Sequence, residues 1–228
     1  MKNIIIVFDV ETSGLWNKGK CADEQPYILQ LSYVLYDICN KNLIKKVNTY
    51  VQVNDSVVFD DSAISINGCT PEKCSNGLPM HSVLAGFYYD FHLAEYAIAH
   101  NLNFDSRMIQ IEFQRNWYVL EKICPHGLQL FDPIYTSYEG IKMVCTMKET
   151  TQLVKAPYKN QKQEYRKTNN NFKWPTLLEL HKHLFGEEPI GLHDAFIDVM
   201  VTLRSYLHYK YKHIITKEEI QQMMVNDL

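Results

Sequence analysis

Carboxylates are the residues of this chain whose spacing points most directly to chemistry. Asp9 and Glu11 stand one residue apart at the end of the apolar run Ile4–Phe8. Side chains alternate along a strand, so both carboxylates face the same way and share a small volume. Two anions so placed repel each other, and one takes up a proton unless a divalent cation compensates them; oxygen-only donors favour Mg²⁺ or Mn²⁺. Taken alone, the pair also fits two solvated acids in a turn, because D-x-E is a weak motif. Asp105 follows Ala99–Phe104 at a strand-to-helix boundary, where the helix dipole favours an acid without any function. His193, Asp194 and Asp198 form a third group. At 100° per residue, Asp198 lies about 200° around a helix from Phe196, away from the apolar ridge. Asp194 shares that polar face at a four-residue step, so spacing leaves open which acid is a ligand. A histidine before a helix is more often a cap or surface residue than a base.

The elements that must position these groups are legible in outline. Asn3–Val10 reads as a strand buried on both faces that delivers its carboxyl end to a site. In Ile28–Tyr36, Leu29, Leu31, Tyr33 and Leu35 alternate with Gln30, Ser32 and Val34, and Leu43–Val53 is a second β-rich stretch after Asn40–Asn42, which predicts an antiparallel meander. Helices are expected over Asp61–Ile66 and Pro79–Leu93, the proline suiting a first turn. A short strand, Tyr96–Ala99, precedes an amphipathic helix starting near Asp105 and carrying Phe104, Met108, Ile111 and Arg115; Met143–Met147 reads as another strand. Lys155–Lys173 sets Lys155, Lys159, Lys162, Arg166, Lys167 and Lys173 against one acid, Glu164, and with Asn169–Asn171 it reads as a mobile loop. Pro175–Phe185 and Ala195–Tyr209 are expected helices, the second with the ridge Phe196, Met200, Leu203 and Leu207. Thr216–Glu219 is a capping box for a final helix. The order predicts an α/β domain, a mixed sheet flanked by helices, over residues 1–212, with 213–228 as a helical extension of the same domain.

The chain has 228 residues, 46% of them hydrophobic, enough for one sizeable core. A formal charge of −3 gives no global attraction to a polyanion, so binding one needs a local basic patch or bound cations. The cysteines lie at scattered spacings with no C-x2-C pair, the pattern of reduced thiols rather than a zinc site. Asp9 interrupts the first apolar run too early for a signal-peptide core, and no segment approaches the roughly 20 apolar residues of a membrane span. An intracellular protein, cytoplasmic or nuclear and with no membrane partner, is expected.

Together the acid groups resemble the DEDDh exonucleases, the family of DNA-polymerase proofreading subunits and related 3′ exonucleases. The first motif stands as Phe8-Asp9-Val10-Glu11-Thr12-Ser13-Gly14-Leu15, the second as His100-Asn101-Leu102-Asn103-Phe104-Asp105, and the third as His193 followed five residues later by Asp198. The resemblance runs from about residue 3 to residue 208 and includes Ile64–Thr70, similar to the family's loop after the third strand. Ser13 stands where the family often has a second threonine, and Asn103 where a small residue is common. Val119–Ile141 and Lys155–Lys173 look longer than in a minimal member, and substrate preference is expected there.

What the resemblance implies is a ribonuclease H-like fold, an antiparallel meander plus parallel strands, and two-metal hydrolysis of phosphodiester bonds at a 3′ end, releasing nucleoside 5′-monophosphates. Two Mg²⁺ ions, replaceable by Mn²⁺, would offset four acids. Asp9 would bridge them, Glu11 and Asp198 would complete the site of the water-activating ion, and Asp105 would hold the second. His193 would accept a proton from the attacking water, a role that suits an imidazole, and Asp194 would be a neighbouring cap. Thr12 would contact the 3′-hydroxyl, Leu15 would pack on the last base, and Asn101 and Phe104 would line the pocket; for Leu15 and Phe104 the alternative is core packing. Tyr158, Tyr165, Phe172 and Trp174, interleaved with the lysines of the basic segment, suit stacking on unpaired bases. The expected substrate is single-stranded or frayed DNA. RNA processed by the same site is one alternative, and a non-catalytic nucleic-acid-binding or polymerase accessory module is another. In a further reading the Thr216–Leu228 helix docks on a replication or repair protein.

Overall fold

The computed structural model describes residues 3–54, 57–59, 61–158 and 172–225. Most of the basic segment, including Lys159, Lys162, Tyr165, Arg166 and Lys167, lies outside the described residues, as do residues 226–228.

Six strands, β1 (Ile4–Thr12), β2 (Ile28–Asp37), β3 (Asn42–Gln52), β4 (Leu78–Pro79), β5 (Tyr96–Ala99) and β6 (Lys142–Cys145), form one sheet in the order β4-β3-β2-β1-β5-β6. β1, β2 and β3 are an antiparallel meander, and β5 and β6 extend it in parallel with β1. The α/β class, with a mixed ribonuclease H-like sheet flanked by helices, is what the chain adopts. The helices are α1 (Asp61–Asn67), α2 (Pro71–Ser75), α3 (Met80–Phe91), α4 (Leu102–Arg115), α5 (Trp117–Leu120), α6 (Pro133–Tyr138), α7 (Thr146–Glu149), α8 (Thr151–Val154), α9 (Leu177–Phe185), α10 (Ala195–Tyr211) and α11 (Lys217–Val225).

β1 is central, and alternation gives its two faces different cores. Ile6, Phe8 and Val10 pack with Leu31, Tyr33 and Leu35 against α3 and α4. Ile5 and Val7 pack with Val34, Tyr36 and Ile98 against α10. The Leu29-to-Leu35 alternation of β2 suggests one polar face, yet Gln30 and Ser32 are both fully buried. The reason is tertiary: α10 crosses the face on which they lie.

Boundaries differ where caps decide them. α9 starts at Leu177 rather than Pro175 because Thr176 accepts from the Glu179 N–H while the Glu179 carboxylate accepts from the Thr176 N–H. Pro79 is spent pairing with Gln52 in β4, so α3 begins at Met80. The strand expected over Met143–Met147 stops at Cys145, where α7 begins. Residues 119–141 fold as α5, a short 3-10 turn and α6, and they bury Leu120, Cys124, Leu130 and Ile141 in the first core. The Thr216–Glu219 box forms both of its bonds, at 2.7 and 3.1 Å, and Ile215 and Ile220 sink into the second core. Among the described residues no helix is long and apolar enough to cross a membrane.

Candidate active site

Asp9 and Glu11 lie on the face of β1 that continues Ile5 and Val7, beyond the point where apolar residues fill it. The parallel pairing with β5 ends at Val7 and Ile98. Past that end the Val10 N–H has no strand partner and donates instead to Asp105 Oδ1 at 3.2 Å, so the first turn of α4 delivers its carboxylate to the carboxyl end of β1. Asp105 is 2% exposed.

From the other side comes α10. Asp194 is its N-cap, accepting at Oδ1 from the Phe196 and Ile197 N–H groups at 3.0 and 3.2 Å. One turn on, Asp198 points at β1: carboxylate oxygens of Asp9, Glu11 and Asp198 lie within 4.8 Å of one another. The choice that spacing left open between Asp194 and Asp198 is therefore made by the helix's entry. His193 is exposed, with φ of +75°, a left-handed backbone position unusual for a non-glycine residue. Its N–H donates to Asp198 Oδ1 at 3.2 Å, and its ring makes no hydrogen bond among the described residues.

The electrostatics follow from burying acids together. Burial, then the charges of Asp105, Asp198, Glu11 and Asp194, holds the Asp9 carboxyl well above the usual carboxylate range. Glu11 is pushed up to about 8 by burial and by Asp198, against a hydrogen bond from Asn67. Asp105 reaches about 8 chiefly by burial, against the Val10 N–H, and Asp198 about 7 by burial and Asp194, against the His193 N–H. No cationic side chain is among these causes. A trio of hard oxygen donors carrying surplus negative charge is a fitting cradle for a divalent cation such as Mg²⁺ or Mn²⁺.

Glu11 and Thr12 open into a cleft of about 1000 Å³. Leu15, Val58 and Ile66 reach its lining from three separate segments and are 82%, 81% and 60% exposed. Leu15 is thus no core residue. Phe104 lines the same cleft while its other side packs on the first core. The Thr12 hydroxyl, also at the lining, donates to the Gly14 carbonyl at 2.6 Å. Asn101 is exposed at the start of α4 with φ of +74° and is not among the lining residues.

One wall, residues 13–27, is pinned from behind. The Arg115 guanidinium donates to the carbonyls of Ala22, Gln25 and Pro26 at 2.6, 2.5 and 3.0 Å, to Glu112 at 2.6 Å, and lies 3.7 Å over the Tyr27 ring. Gln25 ties the loop to itself through Asn17 and Lys20. Sequence reasoning read Arg115 only as part of a helical period. Asn67 was missed too: it is 7% exposed, bonds the Glu11 carboxylate, and donates to the Thr12 carbonyl at 3.2 Å. It lies in the Ile64–Thr70 segment that resembles a family loop, and the Asn67-Gly68 pair, in which Gly68 takes φ of +65°, marks the turn there.

The profile of the RNase_T exonuclease family matches residues 6–206. No curated protein matches the chain at the sequence level. Among solved structures, the nuclease domain of 3′hExo, a DEDDh family member bound to rAMP, is similar with a TM-score of 0.63 and 16% identity over 92% of each chain. Exonuclease I of E. coli, in complex with a dT13 oligonucleotide, gives a TM-score of 0.64 and 18% identity over 92% of this chain and 42% of that one. A 3′-exonuclease that recognises the histone mRNA stem-loop gives 0.61 and 16% over 92% and 82%. The chain thus spans most of two of these relatives and under half of Exonuclease I.

Proposed function

The chain belongs to the RNase_T exonuclease family as a DEDDh-type 3′→5′ exonuclease acting on nucleic acid, and on that premise we propose that it removes nucleoside 5′-monophosphates from the 3′ end of single-stranded or frayed DNA with two divalent cations, Mg²⁺ or Mn²⁺. The observation that carries this reading is the convergence of Asp9, Glu11 and Asp198 oxygens within 4.8 Å, beside a cleft lined by exposed apolar side chains.

Asp9, Glu11 and Asp198 would hold one cation, and Asp105 would help to hold the other. Bound there, such cations would make the attacking water more acidic and offset charge on the phosphate and leaving oxygen. His193, exposed and with a ring that makes no hydrogen bond among the described residues, takes the proton of the attacking water. Leu15 and Phe104 hold the terminal base and Thr12 meets the 3′-hydroxyl, all three at the cleft lining. Two cations cancel the charge of the four acids, so a net charge of −3 is no obstacle to a polyanion. DNA follows the Exonuclease I complex; the rAMP held by the 3′hExo domain makes RNA the second reading.

Matched DNA and RNA strands, labelled at either end and digested side by side with Mg²⁺, Mn²⁺ or a chelator, test every part of this. Mononucleotides from the 3′ end of DNA, lost on chelation, are expected. Faster decay of RNA transfers the assignment to RNA, and activity that survives chelation rejects the metal mechanism.

A further inference from the structure

We infer that Gln30 is a positioning residue for catalysis, a buried amide that locks the first turn of α10, and with it Asp198 and His193, onto the strand that carries Asp9 and Glu11. The inference rests on the metal-dependent reading above. Gln30 is 0% exposed and is the cross-strand partner of Glu11. Its amide is fully used. Nε2 donates to Asp194 Oδ2 at 3.2 Å and to Asn48 Oδ1 at 2.9 Å. Oε1 accepts from the Ala195 N–H at 3.3 Å and from the Cys69 thiol at 3.8 Å.

Two of these partners are the cap and the first residue of α10. The other Asp194 oxygen caps the helix, the Asp194 carbonyl accepts from the Asp198 N–H at 2.9 Å, and His193 precedes the cap. Gln30 therefore fixes the cap residue by side chain and the helix start by backbone. The anchor extends outward, because Asn48 Oδ1 also accepts from the Ser32 hydroxyl at 2.9 Å, and Ser32 is the cross-strand partner of Asp9. Farther along this face the contacts between sheet and helix are apolar, through Val7, Val34 and Val199. Such contacts are non-directional and leave a helix end freer to shift; hydrogen bonds with fixed angles do not. A methionine at position 30 keeps the volume but orphans the Ala195 N–H and one Asp194 oxygen.

Q30M and wild type are compared by thermal melts, by calorimetric titration with Mn²⁺ alone, and by steady-state rates on a single strand across Mg²⁺ concentration. For folded Q30M we expect Mn²⁺ affinity to weaken about tenfold and kcat to fall about 10- to 100-fold, the range seen when groups that orient metal ligands are removed, with KM within about threefold. Folded Q30M with wild-type Mn²⁺ affinity and kcat, or with a loss confined to KM, overturns the inference. If Q30M does not fold, the decision passes to Q30E and to Q30E with Asp194→Asn, in which the donor and acceptor are exchanged across the same contact. Recovery of at least about tenfold in kcat by the double variant supports positioning, and no recovery overturns it. Wild type that neither binds Mn²⁺ nor digests a strand would instead reject the metal reading itself.

Discussion

At the scale of single residues, the site is a set of acids raised by their own mutual burial. An unfolded carboxyl titrates near 4, whereas Glu11 and Asp105 in the fold titrate near 8. Between those values the folded chain holds more protons than the unfolded one, so stability falls as pH rises through this window and the penalty is complete above it. Without divalent cations, the protein should therefore lose melting temperature from about pH 5 to pH 8, and millimolar Mg²⁺ should restore it. A flat profile with no Mg²⁺ effect would show that the acids do not act as a group. Asp198→Asn relieves the same repulsion. It should raise the cation-free melting temperature at pH 8 by about 3 °C or more while reducing Mg²⁺-dependent nucleotide release on the order of 1000-fold. Retained release would remove Asp198 from the ligand set.

Elements are held to one another by buried polar groups. Glu112 and Arg115 are almost wholly buried on α4, and the pair pins residues 13–27, the wall that carries Leu15. Among the described residues, Arg115→Met leaves Glu112 with only the Ile28 N–H at 3.2 Å. A loss of about 3 to 5 kcal/mol is expected for an orphaned buried charge, read by urea unfolding, together with a KM raised about tenfold as the wall loosens. An unchanged KM would mean that the wall holds its shape without the clamp. His100, at the end of β5, bonds the Thr146 hydroxyl at 2.9 Å and the Pro175 carbonyl at 3.1 Å, joining β5 to α7 and to the approach to α9. A carbonyl only accepts, so Nε2 carries the proton and Nδ1 accepts from Thr146. Burial lowers this imidazole from 6.5 to about 4. In that interval the unfolded chain binds more protons, so the contribution is intact above about pH 6.5 and is lost as pH falls toward 4. With Mg²⁺ saturating, His100→Gln should flatten this acid limb; an unaltered limb would place its origin in another group.

For the whole molecule, the carboxyl-terminal segment belongs to the core. Ile215 and Ile220 are buried against α10, the Ile215 carbonyl accepts from Arg204 Nε at 2.9 Å, and Lys46 donates to the Met223 and Met224 carbonyls. Truncation after Lys212 removes two buried isoleucines, worth about 3 to 6 kcal/mol together, and should lower the melting temperature by roughly 10 °C. Any binding lost on such truncation would then report unfolding as much as docking. Substitution of the exposed Val225 leaves the core intact and separates the two. A melting temperature unaltered by the truncation would refute the packing argument.

Three things were legible in the sequence alone: the three acid motifs with their order, the alternation that puts Asp9 and Glu11 on one face, and the strands and helices that flank them. Each is local, written within a few residues by the periods of strand and helix. The choice of Asp198 over Asp194, which spacing left open and the motif resemblance implied, has its physical cause in the entry of α10; tertiary structure alone decided that Asp105 finishes a hydrogen bond β5 no longer supplies, and that Gln30 and Ser32 are buried rather than facing water. It also decided that Arg115, read as one step of a helical period, reaches back some 90 residues to hold the cleft wall. These facts depend on which distant segments become neighbours. Side-chain polarity within a short window carries no record of the partner that will satisfy it once both are buried.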